Sequence, residues 1–409
     1  MKKGYFYGYN IVASGFLIQG VTIGAMFTYG VFFKEFQAVF GWSRALISGA
    51  SSLAFLMMGV GGIVAGTLND RMGPRVIMTV SGISLGLGYL LMSGLTAPWQ
   101  LYLLYGGLVG VGFCTHDVIT LSTVARWFVR RRGMMSGLVK VGTGAGQFLV
   151  PLIASMLISG IGWRSAYLVI GGVSLGLLVA AAQVLRRDPQ GMGLLPDGQH
   201  IDAGKQKSRK EAHGISLGQA VRTLPFWTLC ITEFAVFFCL LTTIVHIVPH
   251  ARDLGLPPAT AAAVLSIIGG ISMLGRIVMG SANDRIGGRR SLLVCLAILI
   301  SSLVWLQLSD RSWMLFLFAV VYGFGHGGLF TVMSPTVAEY FGTAAHGQLF
   351  GLVLFSGTLG GSVGPLLAGY LYDRNDSYSI AFFLLTTLAV MGLILILFLR
   401  PVSENQQKD

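Results

Sequence analysis

The chain is short of charge. Only 11% of its 409 residues are Asp, Glu, Lys or Arg, and the acidic ones number 16. A soluble domain carries about 25% charged residues, so this chain has too few to cover a surface that faces water. Cysteine is scarce as well: Cys114, Cys230, Cys239 and Cys295 are the four, and all fall in apolar stretches. They offer neither a disulfide framework nor the paired spacing of a metal site. A P-loop, a dinucleotide fingerprint and a catalytic triad are missing too. The expectation is a non-enzyme without cofactor or metal. Period-two alternation is absent, which argues against a β-barrel. Met1-Lys2-Lys3 leads into an apolar run too long for a cleavable signal peptide, with no small-residue cleavage site after it.

What the chain has is apolar length. Hydrophobic residues make up 54% of it and its mean hydropathy is +0.73. A helix needs about 20 apolar residues to cross a hydrocarbon core. Twelve such stretches can be cut: 9–33, 45–69, 76–94, 101–124, 134–159, 166–185, 225–251, 259–283, 291–309, 312–338, 346–372 and 379–399. The net charge of +12 does not signal nucleic acid, because the basic residues are sorted by loop. With the N-terminus inside, the even loops hold Arg71 and Arg75, Arg126 and Arg130 to Arg132, the segment Arg186 to Arg222, and Arg285, Arg289 and Arg290. The odd loops hold only Lys34, Arg44, Arg164, Arg252, Arg311 and Arg374. This asymmetry predicts a multi-pass protein of the cytoplasmic (plasma or inner) membrane with both termini cytoplasmic.

The halves repeat. The run from Gly66 to Arg75, G-T-L-N-D-R-M-G-P-R, has a counterpart from Gly280 to Arg289, G-S-A-N-D-R-I-G-G-R, 214 positions later. Ala125-Arg126-Trp127-Phe128 pairs with Ala338-Glu339-Tyr340-Phe341, and Pro151 pairs with Pro365, again 214 positions on. Such matches at nearly one offset indicate a duplication. The polar, Pro- and Gly-bearing segment 186–224 separates the copies. The expected organisation is an N-terminal six-helix bundle (1–185), a cytoplasmic linker (186–224) with a short helix near Ser216 to Arg222, and a C-terminal six-helix bundle (225–409).

The G-x-L-x-D-R-x-G-x-R pattern at 66–75, with its copy at 280–289, resembles the signature loop of the major facilitator superfamily. Phe32-Phe33-Lys34-Glu35-Phe36, the run from Arg126 to Gly133 (R-W-F-V-R-R-R-G) and Arg276 together resemble the monocarboxylate porters and the related oxalate/formate antiporters. The resemblance implies an all-α membrane protein of twelve transmembrane helices in two pseudo-symmetric six-helix bundles. It also implies secondary transport by alternating access. The expected substrate is a small monocarboxylate such as lactate, pyruvate or formate. Symport with protons and antiport both stay open. An organic anion exchanger and a drug-type efflux carrier are the alternatives. The partners are then a small organic anion, protons where coupling exists, and the lipid bilayer.

Several residues carry the chemistry. Arg276 lies eight positions before Asp284, about 12 Å along a helix. A permanent cation at that depth faces a partner or a wet cavity, and a guanidinium can grip a carboxylate with two parallel hydrogen bonds. Substrate binding and an ion pair with Asp117 or Glu233 are the two readings. His116 and Asp117 could bind substrate, couple protons, or form a fixed bridge between helices. His326, in a glycine-rich run, either lines the cavity or packs. Tyr29 and Phe355 could line an apolar side of the site. Lys34 is a gate by resemblance, or an interfacial lysine. Lys140 either snorkels or supplies a second buried charge, and Glu233 suits gating or helix packing. The resembling proton-linked carriers place an aspartate one turn before the arginine of span eight, where this chain has Ser272. Asp70, Arg71, Arg75, Asp284, Arg285 and Arg289 are the expected conformational latch, or else charged turns that set topology.

Overall fold

The computed structural model describes residues 5–198 and 214–399. Of the expected linker, 199–213 lie outside the described residues. The described residues form helices and no strand; one isolated bridge joins Gly214 to Gly342. Among the described residues, eleven helices are long and apolar enough to cross a membrane. One of them, Arg132–Val184, runs 53 residues, about 80 Å at 1.5 Å per residue, far more than one crossing needs. It is broken at Gly162 (φ 79°, ψ 158°), a backbone conformation that glycine adopts without a Cβ penalty. The two stretches expected at 134–159 and 166–185 are therefore present, divided at one residue instead of by a loop.

By internal contacts the chain forms two compact units. Unit 1 is Met1–Arg130, Leu138–Ala212 and Ala345–Gly351; unit 2 is Arg131–Gly137, His213–Ala344 and Leu352–Asp409. In unit 1 the helix Gly8–Phe40 buries Ile11, Ile18, Gln19, Ala25, Phe32 and Phe36. Phe32 stacks on Tyr167 with centroids 3.9 Å apart, and Phe36 meets Trp163 edge-on. The stretch Pro98–Trp127 is not a uniform helix. Its turns widen to π geometry over Tyr102–Val109 and the helix stops at Cys114 and Thr115. It restarts as His116–Trp127. Ser81 Oγ lies 2.6 Å from Thr115 Oγ1 and donates to Gly112 O at 2.8 Å, pinning the break to the neighbouring helix Pro74–Met92.

In unit 2 the helices Pro258–Ile286 and Ser312–Phe341 approach at backbone distance. A Cβ at Gly275 would strike the Phe324 carbonyl, and one at Gly327 the Ser272 carbonyl. Small residues permit that closeness where lipid provides no hydrophobic drive between helices. A short helix Leu217–Ala220 precedes the unit's first span. Ser216 caps it, its Oγ accepting from Gln219 N at 3.3 Å.

Candidate functional site

The broken helix of unit 1 positions the first cluster. Because the chain restarts at His116, Asp117 sits in the first turn of a new helix, where the positive end of the macrodipole favours an anion. Asp117 Oδ1 accepts from Lys140 Nζ at 2.6 Å and from Gln19 Nε2 at 2.8 Å. His116 Nε2 is 3.5 Å from Asp117 Oδ2, and His116 Nδ1 is 2.7 Å from the Phe113 carbonyl. That carbonyl can only accept, so Nδ1 carries a proton and Nε2 faces the carboxylate. Gln19 Nε2 also donates to Thr120 Oγ1 at 3.0 Å, and Gln19 Oε1 accepts from Thr143 Oγ1 at 2.9 Å. Three helices thus meet at one carboxylate.

Lys140 is 3% exposed and does not snorkel. The cation turns inward because Asp117 lies within reach, and an ion pair offsets part of the desolvation that burial costs both groups. Asp117 is accordingly the partner of Lys140. Gln19, Thr120 and Thr143 were not singled out from the sequence. An amide in the middle of a 25-residue apolar stretch was the available signal for Gln19; the two threonines had none.

Tyr29 stands apart from this cluster. Its hydroxyl donates to Ile47 O at 2.6 Å and its ring lies against Tyr105, centroids 4.1 Å apart. Lys34 is exposed, inside a helix that continues to Phe40.

In unit 2 Arg276 is 2% exposed. It follows Gly275, one of the two close-approach points, so its helix meets Ser312–Phe341 at this level. His326 lies between Phe324 and Gly327, the facing contacts. Its ring is 4.9 Å from that of Phe330, which meets Phe237 at 5.0 Å. Glu233, one turn before Phe237, is buried and packs its Cγ where Gly357 leaves room. Phe355 is half-buried. Arg276, His326 and Glu233 are thus three buried polar side chains of one unit, with Phe237 and Phe330 between the latter two.

The signature loops are built alike. Gly73 (φ 85°) and Gly287 (φ 82°) end their helices in a conformation suited to glycine. Asp70 accepts from Gly347 N (3.2 Å) and Gln348 N (3.0 Å), and from Arg126 at 2.5 Å. Asp284 accepts from Gly133 N (2.6 Å) and Met134 N (2.8 Å). Each aspartate thus caps the first turn of a helix far away in sequence, satisfying donors that a helix start leaves open. The two sets of capped residues, like the two aspartates, are 214 positions apart. Arg75 donates to Gln183 Oε1 at 2.8 Å. Arg289 donates to the Ile396 and Leu397 carbonyls, the last of their helix. Arg71 and Arg285 are exposed.

The family model of the Major Facilitator Superfamily matches residues 15–300 and 247–409. Monocarboxylate transporter 13 of Rattus norvegicus is 31% identical over 378 residues, 92% of this chain and 85% of that protein. Monocarboxylate transporter 12 of Mus musculus is 27% identical over 433 residues, covering 98% and 87%. Among solved structures, the fucose:proton symporter of E. coli superposes with a TM-score of 0.75 at 14% identity, over 96% of this chain and 98% of that one. The human organic anion transporter TETRAN superposes with a TM-score of 0.71 at 14% identity, over 96% and 100%.

Proposed function

Because the chain belongs to the Major Facilitator Superfamily and is a multi-pass membrane transporter and not an enzyme, we propose that its substrate is a small monocarboxylate of the lactate, pyruvate or formate kind. The observation that carries this reading is Arg276, a buried guanidinium beside a helix contact that glycine lets close to backbone distance. A planar fork of donors matches a carboxylate. The names of the relatives, monocarboxylate transporters 13 and 12, support the same class.

In this reading Arg276 holds the carboxylate and His326 borders the site, with Glu233 and Phe355 in the same unit. The cluster around Asp117 couples transport to protons. Protonating Asp117 removes the charge that holds Lys140, which then turns toward an incoming anion. The capping contacts of Asp70 and Asp284 act as the latch: they form when one end of the transporter is closed and release when it opens. Transport proceeds by alternating access, with 1–185 and 225–409 as the two bundles. The protein resides in the cytoplasmic membrane with both termini inside, the orientation that its basic loops favour.

The test is uptake of labelled L-lactate, pyruvate and formate into proteoliposomes under an imposed proton gradient, with Arg276→Ala beside wild type. Saturable uptake of one of them, lost in the variant, supports the assignment. Equal uptake by the variant, or none by the wild type, removes it.

A further inference from the structure

A cleft of about 280 Å³ opens at one end of unit 2, lined by residues of 250–254, 306–309 and 372–382. Arg276 is not in its wall. Three helices end here: Leu224–Asp253, Gly288–Gln307 and His346–Asn375. A helix C-terminus carries roughly half a negative elementary charge, so three such ends create a negative field. Asp253 and Asp376 add two carboxylates, and the described lining holds no Lys or Arg. Ser379, a helix start within the wall, has its N–H taken by Ser377 Oγ at 3.2 Å.

Four rings line the cleft as well, those of His250, Tyr372, Tyr378 and Phe382. His250 stands edge-on to Phe382 (centroids 4.9 Å, 88°) and to Tyr378 (5.7 Å, 89°). Tyr372 lies against Tyr378 at 4.3 Å. His250 Nε2 is buried without a hydrogen-bond partner among the described residues, and an unmet polar atom of that kind calls for a partner. Tyr378 is held in place from behind. Its hydroxyl is 3.1 Å from His246 Nδ1, while His246 Nε2 is 3.0 Å from the Pro365 carbonyl.

These features favour a cation over an anion. A bare metal ion lacks ligands, since no group of three His, Cys, Asp or Glu side chains that could hold one occurs among the described residues. The cleft has room for several heavy atoms, given about 30 Å³ per water in the liquid. Ring faces attract an ammonium group, and an N–H donor suits both His250 Nε2 and the carboxylates. We infer that this cleft binds a small protonated amine, at a site distinct from the one around Arg276.

The experiment is calorimetric titration of the full chain in lipid nanodiscs with propylammonium chloride at pH 7.5, against sodium chloride of equal ionic strength. Two variants change the cleft. Asp376→Asn removes a carboxylate while keeping a residue suited to the left-handed backbone there (φ 48°). Tyr372→Leu removes a half-buried ring. The expected result is saturable binding to wild type, weakened at least tenfold in each variant and unchanged in Arg276→Ala. Thermal unfolding midpoints check that all variants fold; if Tyr372→Leu does not, Asp376→Asn alone decides. Absence of saturable binding to wild type, full retention in Asp376→Asn, or loss in Arg276→Ala overturns the inference.

Discussion

Lys140 Nζ lies 2.6 Å from Asp117 Oδ1 in the interior of unit 1, with Gln19 Nε2 on the same oxygen. The two residues are 23 positions apart in sequence, on either side of the basic turn at 130–132. A buried pair is worth little against an apolar replacement of both members, but removing one member strands the other. Asp117→Asn is therefore expected to destabilise by about 3–5 kcal/mol. The double variant Asp117→Asn with Lys140→Met should recover most of that loss. Thermal unfolding in detergent measures both. A double variant no more stable than the single one would show that the pair is not energetically coupled.

The same pair bears on coupling. If protonation of Asp117 frees Lys140 for the anion, the double variant loses the dependence of uptake on the proton gradient while counterflow at equal pH continues. Parallel loss of both activities would count against a coupling role and in favour of a structural one.

Arg276→Lys tests geometry separately from charge. Lysine keeps the cation but not the two-pronged donor fork. Affinity for the carboxylate is expected to fall at least tenfold, about 1.4 kcal/mol, without being abolished. An unchanged affinity would mean that only charge matters at this position.

Asp284 caps Gly133 and Met134. Asp284→Ala should cost about 1 kcal/mol in stability, the usual worth of such a cap. If the cap is part of a latch, the maximal rate of uptake falls and the apparent substrate affinity stays near that of wild type. A change confined to affinity would argue against the latch.

Tyr378, in the turn between two spans, has its hydroxyl pushed up from the ordinary 10 to about 12, first by burial and then by the charge of Asp253. A group whose folded pKa is raised favours the folded state below its unfolded pKa, and that contribution disappears as pH climbs through the folded value. Stability should thus fall between about pH 10 and 12, and the fall should be smaller in Tyr378→Phe. Unfolding midpoints across that range check it.

Much of the fold is legible before any coordinates. Membrane spans need length and apolarity, both local properties of a sequence, and the repeat of Gly66–Arg75 at Gly280–Arg289 is visible by alignment of the chain with itself. Gly162 shows the limit. A single glycine at φ 79° replaces the expected loop between two stretches, because one residue free to take a positive φ is enough to break a helix.

The candidate site was half legible. A charge inside an apolar run stands out, so Arg276, Asp117, Lys140 and Glu233 could each be named from the sequence. Which charges meet could not be read, because that depends on how helices rotate and pack. The apolar stretches determined that the chain crosses a membrane many times, since transfer of each segment into lipid depends on its own composition. Only the tertiary structure decided that Lys140 turns inward to Asp117, that Asp70 and Asp284 cap helices far along the chain, and that three helix ends gather around His250. Those are contacts between distant segments, and their energies depend on distance and burial that no single segment contains.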